Sequence, residues 1–160
     1  MNSRFEQLED LLVSQLSGSF FDVAPVPDTQ AEYRNTTRPR VYVIFDNADY
    51  PDNDMLGAVA QEQKIKIGCE IYATARRGAT GIFAIQQIIY QQLLGYPMPG
   101  CDPLQLVSFG PLAGSGPNQW AYYVQLSTSD HVAQALDFSA DDGPSFQSLT
   151  LESDEQNLHQ

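Results

Sequence analysis

Twelve residues, Lys64 to Ala75, alternate without a break. Ile65, Ile67, Cys69, Ile71, Ala73 and Ala75 fall on one side; Lys64, Lys66, Gly68, Glu70, Tyr72 and Thr74 fall on the other. A period of two is a strand with one face buried and one face wet. At ~3.3 Å per residue it extends ~40 Å, long for a strand. Any fold for this chain must therefore bury one face of that strand against a second layer.

The flanking patterns supply the rest. Phe5, Leu8, Leu11, Leu12 and Leu16 recur at helical spacing, which predicts an amphipathic helix over 4–16, ended by Gly18. Ser3 and Glu6 have the spacing of a capping box. Phe20 to Val26 reads as a short strand stopped by Pro25 and Pro27, and 28–39 as a loop. Arg40 to Asp46 reads as a central strand, because Val41, Val43 and Phe45 alternate with the equally apolar Tyr42 and Ile44. Residues 46–60 read as a long acidic connection. Ile82, Ile85, Ile89 and Leu93 mark a second, greasier helix over about 80–94, with Gly95 and Pro97 as its stop.

Leu104–Phe109 and Gln119–Ser127 then read as a hairpin across a Gly/Pro turn, with Trp120, Tyr122, Val124 and Leu126 on one face. Residues 129–144 read as loop with one helical turn at 131–136. Phe146–Leu151 reads as an edge strand and 153–160 as a polar tail. The expected fold is α+β: a mostly antiparallel or mixed sheet of about four to five strands against two main helices. The expected organisation is one domain over 1–152 with a tail at 153–160. A chain of 160 residues buries roughly 70% of its unfolded surface, enough for one core without disulfides.

Charge is as unevenly placed as hydropathy. All eight Lys and Arg residues lie at or before Arg77. The net charge of −12 divides into −4 before Gly78 and −8 from Gly78 onward. Such a balance excludes wrapping nucleic acid or docking on anionic lipid, which need clustered cations. It favours head-to-tail attraction between copies. The first ten residues have no basic segment followed by an apolar one, which predicts no signal peptide, and no apolar run approaches a membrane span. Cys69 reads as a core thiol, and with Cys101 as the only other cysteine a reduced compartment is expected.

The residues offer little for catalysis. His131, His159, Cys69 and Cys101 have no zinc spacing. Asp46, Asp49, Asp52 and Asp54 could gather oxygen ligands. The run from Asp52 to Gly57 opens like a calcium loop, but Leu56 stands where a ligand belongs and Gln63 where the bidentate Glu belongs. Ser129, Asp130 and His131 are sequence neighbours, which does not make a triad. Gly78 to Gly81 opens a helix that could take an anion, although a plain helix entry suffices. Arg38, Arg40, Arg76 and Arg77 flank the two best strands. They are either strand-end solubility charges or contacts for the acidic surface of a neighbouring copy, since guanidinium pairs carboxylates bidentately.

In the order of its elements the chain resembles the tail terminator (tail completion) proteins of long-tailed bacteriophages, in the Mu-like branch found in prophages. The features that match are the N-terminal helix through Leu16 and Phe21-Asp22-Val23, then Arg38 to Phe45 and the strand Lys64–Ala75. Leu93 to Tyr96 and Trp120 to Val124 complete them, so that the resemblance covers about residues 3–127. Nothing beyond Asp130 has a counterpart. The resemblance implies a subunit that closes into a ring, typically a hexamer, which caps the tail tube and contributes to head–tail joining. Its partners would be itself, the tail tube and head-completion proteins, with DNA passing through without specific binding and no membrane contact. It implies no enzyme activity, no cofactor and no metal, with assembly in the bacterial host cytoplasm and a place in the virion tail. The expected subunit or tail contacts are Arg38, Arg40, Asp46, Asp49, Asp52, Asp54, Arg76 and Arg77. Two rivals stand beside this reading: a small metal-dependent hydrolase using the 46–54 carboxylates, and a monomeric acidic adaptor or inhibitor protein.

Overall fold

The computed structural model describes residues 2–29, 38–51, 60–113 and 118–133. Its elements are α1 (Arg4–Gln15), β1 (Asp22–Pro25), β2 (Arg40–Asp49), β3 (Ala60–Ala73), α2 (Ile82–Leu93), β4 (Gln105–Pro111) and β5 (Trp120–Ala133). The five strands form one sheet in the order β1-β2-β3-β5-β4; β1 runs parallel to β2 and every other pair is antiparallel. The fold is α+β, as the sequence leads one to expect.

The alternating strand organises the core. Ile65, Ile67, Cys69, Ile71 and Ala73 of β3 are buried with Val41 and Val43 of β2 and with Tyr122, Val124 and Leu126 of β5. Leu8 and Leu12 of α1 and Ile82, Ile85, Ile89 and Leu93 of α2 pack onto the same side. Both helices thus lie on one face, and no described helix covers the other. Each fully buried Ile or Leu contributes roughly 1.5–3 kcal/mol, so this single layer carries most of the hydrophobic stabilisation.

Local chemistry fixes the helices. Ser3 accepts from the Glu6 amide while Glu6 accepts from the Ser3 amide at 2.6 Å, the reciprocal capping box. The two bonds from Ser3, backbone first, hold the Glu6 carboxyl below its ordinary value. Phe5 stacks on Phe45 with ring centroids 4.0 Å apart, pinning α1 to β2. The ladder skips a residue between Phe45 and Asn47. There Glu9 of α1 accepts from the Phe45 amide at 2.6 Å. A helix side chain thus satisfies a donor beside the bulge.

Three expectations are corrected. Strand β2 runs three residues beyond Asp46, because Asn47, Ala48 and Asp49 pair with Lys66, Ile65 and Lys64. The acidic connection is therefore shorter than 46–60, and Asp46 and Asp49 belong to a strand. Residues 129–133 are strand, not loop or helical turn. They pair with Lys64 back to Ala60, since β3 also starts four residues before Lys64. Alternation fails to announce this part because its buried face is polar: Gln63 and Asp130 lie opposite each other and are 4% and 8% exposed. Helix α2 begins at Ile82, and Ala75 lies past the end of β3. The expected edge strand at 146–151, the tail at 153–160, Asp52 and Asp54 lie outside the described residues, as do residues 30–37 of the 28–39 loop.

Candidate functional site

The register sorts the candidate charges by sheet end. Arg40 opens β2 opposite Tyr72 near the end of β3, and Trp120 opens β5 opposite Ala73. Arg38, Arg40, Arg76 and Arg77 therefore gather at one end. Asp49 lies at the other, nine positions along β2 or ~30 Å away. Asp46 lies between them, nearer the Asp49 end. The separation is not complete, because Lys64 pairs in register with Asp49 while Asp22 and Glu70 lie towards the arginine end.

The four arginines are not equivalent. Arg38 donates from Nε to Asp22 at 2.9 Å. Arg40 donates to the Tyr42 hydroxyl at 3.2 Å and stands 4.0 Å from the Asp22 carboxylate. Both are anchored to their own subunit. The Arg76 guanidinium lies over three rings, 5.0 Å from the Trp120 centroid, 5.5 Å from Phe83 and 5.9 Å from Tyr122. Phe83, Tyr122 and Phe109 are themselves in contact, with Tyr122 stacked on Phe109 at 5.3 Å. Among the described residues neither Arg76 nor Arg77 has a carboxylate within 4.0 Å. This aromatic platform was invisible in sequence, since its rings come from α2, β4 and β5; the spacing of Trp120 and Tyr122 on one strand face was the only signal.

The neighbouring helix entry is closed to anions. The amides of Gly81, Ile82 and Phe83 donate to the carbonyls of Gly78, Ala75 and Arg76 at 3.3, 3.0 and 3.1 Å. A Cβ on Gly81 would come within 2.6 Å of the Arg77 carbonyl oxygen, so glycine is what lets the turn fold back this closely. Three of the donors that would grip a phosphate are thus spent on this turn.

Toward the other end, Asp46 sits at the bulge and accepts from the Tyr123 hydroxyl at 3.0 Å and from Gln125 at 2.7 Å. Burial pushes the Tyr123 phenol above the ordinary tyrosine range, and its bond to Asp46 adds to the effect. Asp49 instead lines an open groove of about 410 Å³ with Lys64, Lys66, Gln105, Ser127 and Ser129. Among the described residues neither lysine has a carboxylate within 4.0 Å. Sequence reasoning gave the two lysines no role, because on an alternating strand they read only as its wet face.

A polar network crosses the helix side of the same end. Gln63 donates to Asp130 at 2.9 Å, Tyr50 donates to Gln63, and Arg4 stands 3.5 Å from Asp130 while donating to the Pro99 carbonyl at 2.6 Å. Strand geometry places Ser129 and His131 on the opposite face from Asp130, so the three consecutive residues cannot converge. Among the described residues no group of three or more His, Cys, Asp and Glu could hold a metal ion. Nor is any described helix long and apolar enough to cross a membrane.

Fold and charge placement together define a two-layer α+β protein whose distinctive groups sit at strand ends and on an exposed aromatic patch. A family model described as Gp37 protein matches residues 13–153, well over half of the chain. The chain belongs to that family and is a phage-associated protein. No curated protein matches it at significant similarity.

Proposed function

We propose that this phage protein is a tail terminator, a subunit that closes into a ring, caps the tail tube and contributes to head–tail joining. The reading is carried by one observation: arginines that the sequence scatters over 38–77 are gathered at one end of a single sheet, and Asp49 is held at the other. An arginine-rich sheet end offers a place for carboxylates of another copy, a heterologous contact that closes into a ring when the rotation between subunits fits. The overall charge of −12 suits a lumen through which DNA slides without being held. The order of elements, helix, strand, long strand pair, helix and hairpin, supports the same reading.

Native mass spectrometry and light scattering test it. A single closed oligomer, formed by the chain alone or with tail tube, is the expected result. A chain that stays monomeric at high concentration under both conditions removes the reading. Metal-dependent turnover of a small molecule that requires the 46–54 carboxylates would replace it with a hydrolase.

A further inference from the structure

We infer that the Arg76 platform is a receptor for the acidic segment that follows β5 in a second copy of this chain. The inference rests on the ring reading and names the contact by which it would work.

The receptor is built from unlike parts that converge. Trp120 and Phe83 are 45% and 36% exposed, large for aromatic rings with no described role in the core. The Arg76 guanidinium stands over both, 5.0 Å from the Trp120 centroid and 5.5 Å from Phe83, and among the described residues it has no carboxylate partner. A guanidinium laid on rings is held in place yet keeps edge N–H groups for a planar, bidentate acceptor. Arg77 adds a second charge beside it. Trp, Tyr and Arg packed together are the composition of interface hot spots, whereas a strand-end solubility charge needs no rings beneath it.

Charge and position single out the occupant. Residues 134–160 carry Asp137, Asp141, Asp142, Glu152, Asp154 and Glu155 and no Lys or Arg. Strand β5 begins at Trp120, within the platform, and ends at Ala133, thirteen positions or ~43 Å farther along. The acidic segment therefore starts from the end of the sheet opposite the platform. In a head-to-tail arrangement that end faces the platform of the next copy. The groove beside Lys64 and Lys66 is the weaker receptor, because Asp49 and Asp102 line it too.

Trp120 is the only tryptophan, so its emission reports the platform in the full-length chain. Emission and native mass are followed together over a dilution series. The emission is expected to shift as oligomer dissociates. Reversing Arg76 and Arg77 to Glu, or changing Asp137, Asp141 and Asp142 to Asn, is expected to weaken association by about tenfold or more, the equivalent of one lost charge-assisted hydrogen bond. Arg76→Lys keeps the charge but loses the flat fork and should give a smaller loss in the same direction. Mixing the Arg76/Arg77→Glu chain with one carrying Lys at 137, 141 and 142 should restore heterologous association. Association with unchanged Trp120 emission would overturn the receptor while leaving the ring intact. Association insensitive to the Asn changes would overturn the occupant. An emission shift that depends on Asp137, Asp141 and Asp142 but not on concentration would place the segment on its own subunit and overturn the second copy. A chain that never associates and shows no shift would remove this inference and the ring together.

Discussion

A Cβ on Gly68 would lie 1.9 Å from the Tyr123 hydroxyl oxygen, so this position in the middle of β3 is open only to glycine while Tyr123 stays in place. The ring uses that gap to reach across β3 and bond Asp46 on β2. Gly68→Ala should therefore displace the half-buried Tyr123 ring and cost about 0.5–1.5 kcal/mol, the range of one lost hydrogen bond, read as a drop in the urea midpoint. The cost should fall sharply in a Tyr123→Ala background, because the clash is with that ring. Equal costs in both backgrounds would show that the glycine serves the backbone instead. One residue along, Cys69 is fully buried, and desolvation raises its thiol from an ordinary 9.0 to about 12. It should stay inert to thiol reagents until the chain unfolds. The half-buried Cys101 is also raised, by burial first with Arg4 opposing, but it should react sooner. Because the folded state keeps a proton that the unfolded state loses, the Cys69 contribution to stability should decline as pH rises from about 9 to about 12. Cys69→Ala should flatten that part of the pH profile.

The long antiparallel pair β3 and β5 shows how an element outgrows its own hydrophobic pattern. Its last turns of ladder are held by Gln63, Asp130, Tyr50 and Arg4 instead of apolar side chains. Asp130→Ala should destabilise by roughly 1–3 kcal/mol, since it leaves Gln63 with a donor unpaired at a buried site. Removing Arg4 should cost less, because that side chain is 40% exposed and solvent screens its charge. If Asp130→Ala were neutral, the network would be filler and not a clamp between α1 and β5. On the helix side, Ile85→Ala or Ile89→Ala should each cost about 2–5 kcal/mol, measured as a lowered Tm, because neither side chain has any exposure through which the gap could relax.

For the whole molecule, assembly driven by opposite sheet ends should weaken with salt. Raising ionic strength from about 0.01 M to 1 M shortens the screening length roughly tenfold, from ~30 Å to ~3 Å. Oligomer mass should then fall, and reversal of Arg77 should reduce assembly more at low salt than at high. Arg38 and Arg40 already serve Asp22 and Tyr42 within their own subunit. Replacing them should lower stability more than it lowers assembly. A ring unaffected by salt would mean that apolar contacts at Trp120 and Phe83 carry the association.

Local pattern alone determined the alternating strand, the two helices with their buried stripes and the capping box, because each depends only on neighbours a few residues apart. It also determined the acidic balance that argues against gripping nucleic acid. Tertiary structure decided what depends on partners far along the chain. The ends of β2 and β5 are polar, and only a ladder to the long β3 makes them strand. Arg38 and Arg76 look alike as strand-end charges, but a carboxylate sixteen residues away claims one and rings from two other elements lie beneath the other. Ser129, Asp130 and His131 are adjacent in sequence and divided by the pleat. Lys64 and Lys66 looked like an ordinary wet face until β4 and β5 built a groove beside them. A side chain's chemistry is written in the sequence, but its partners are set by which strands come to lie side by side.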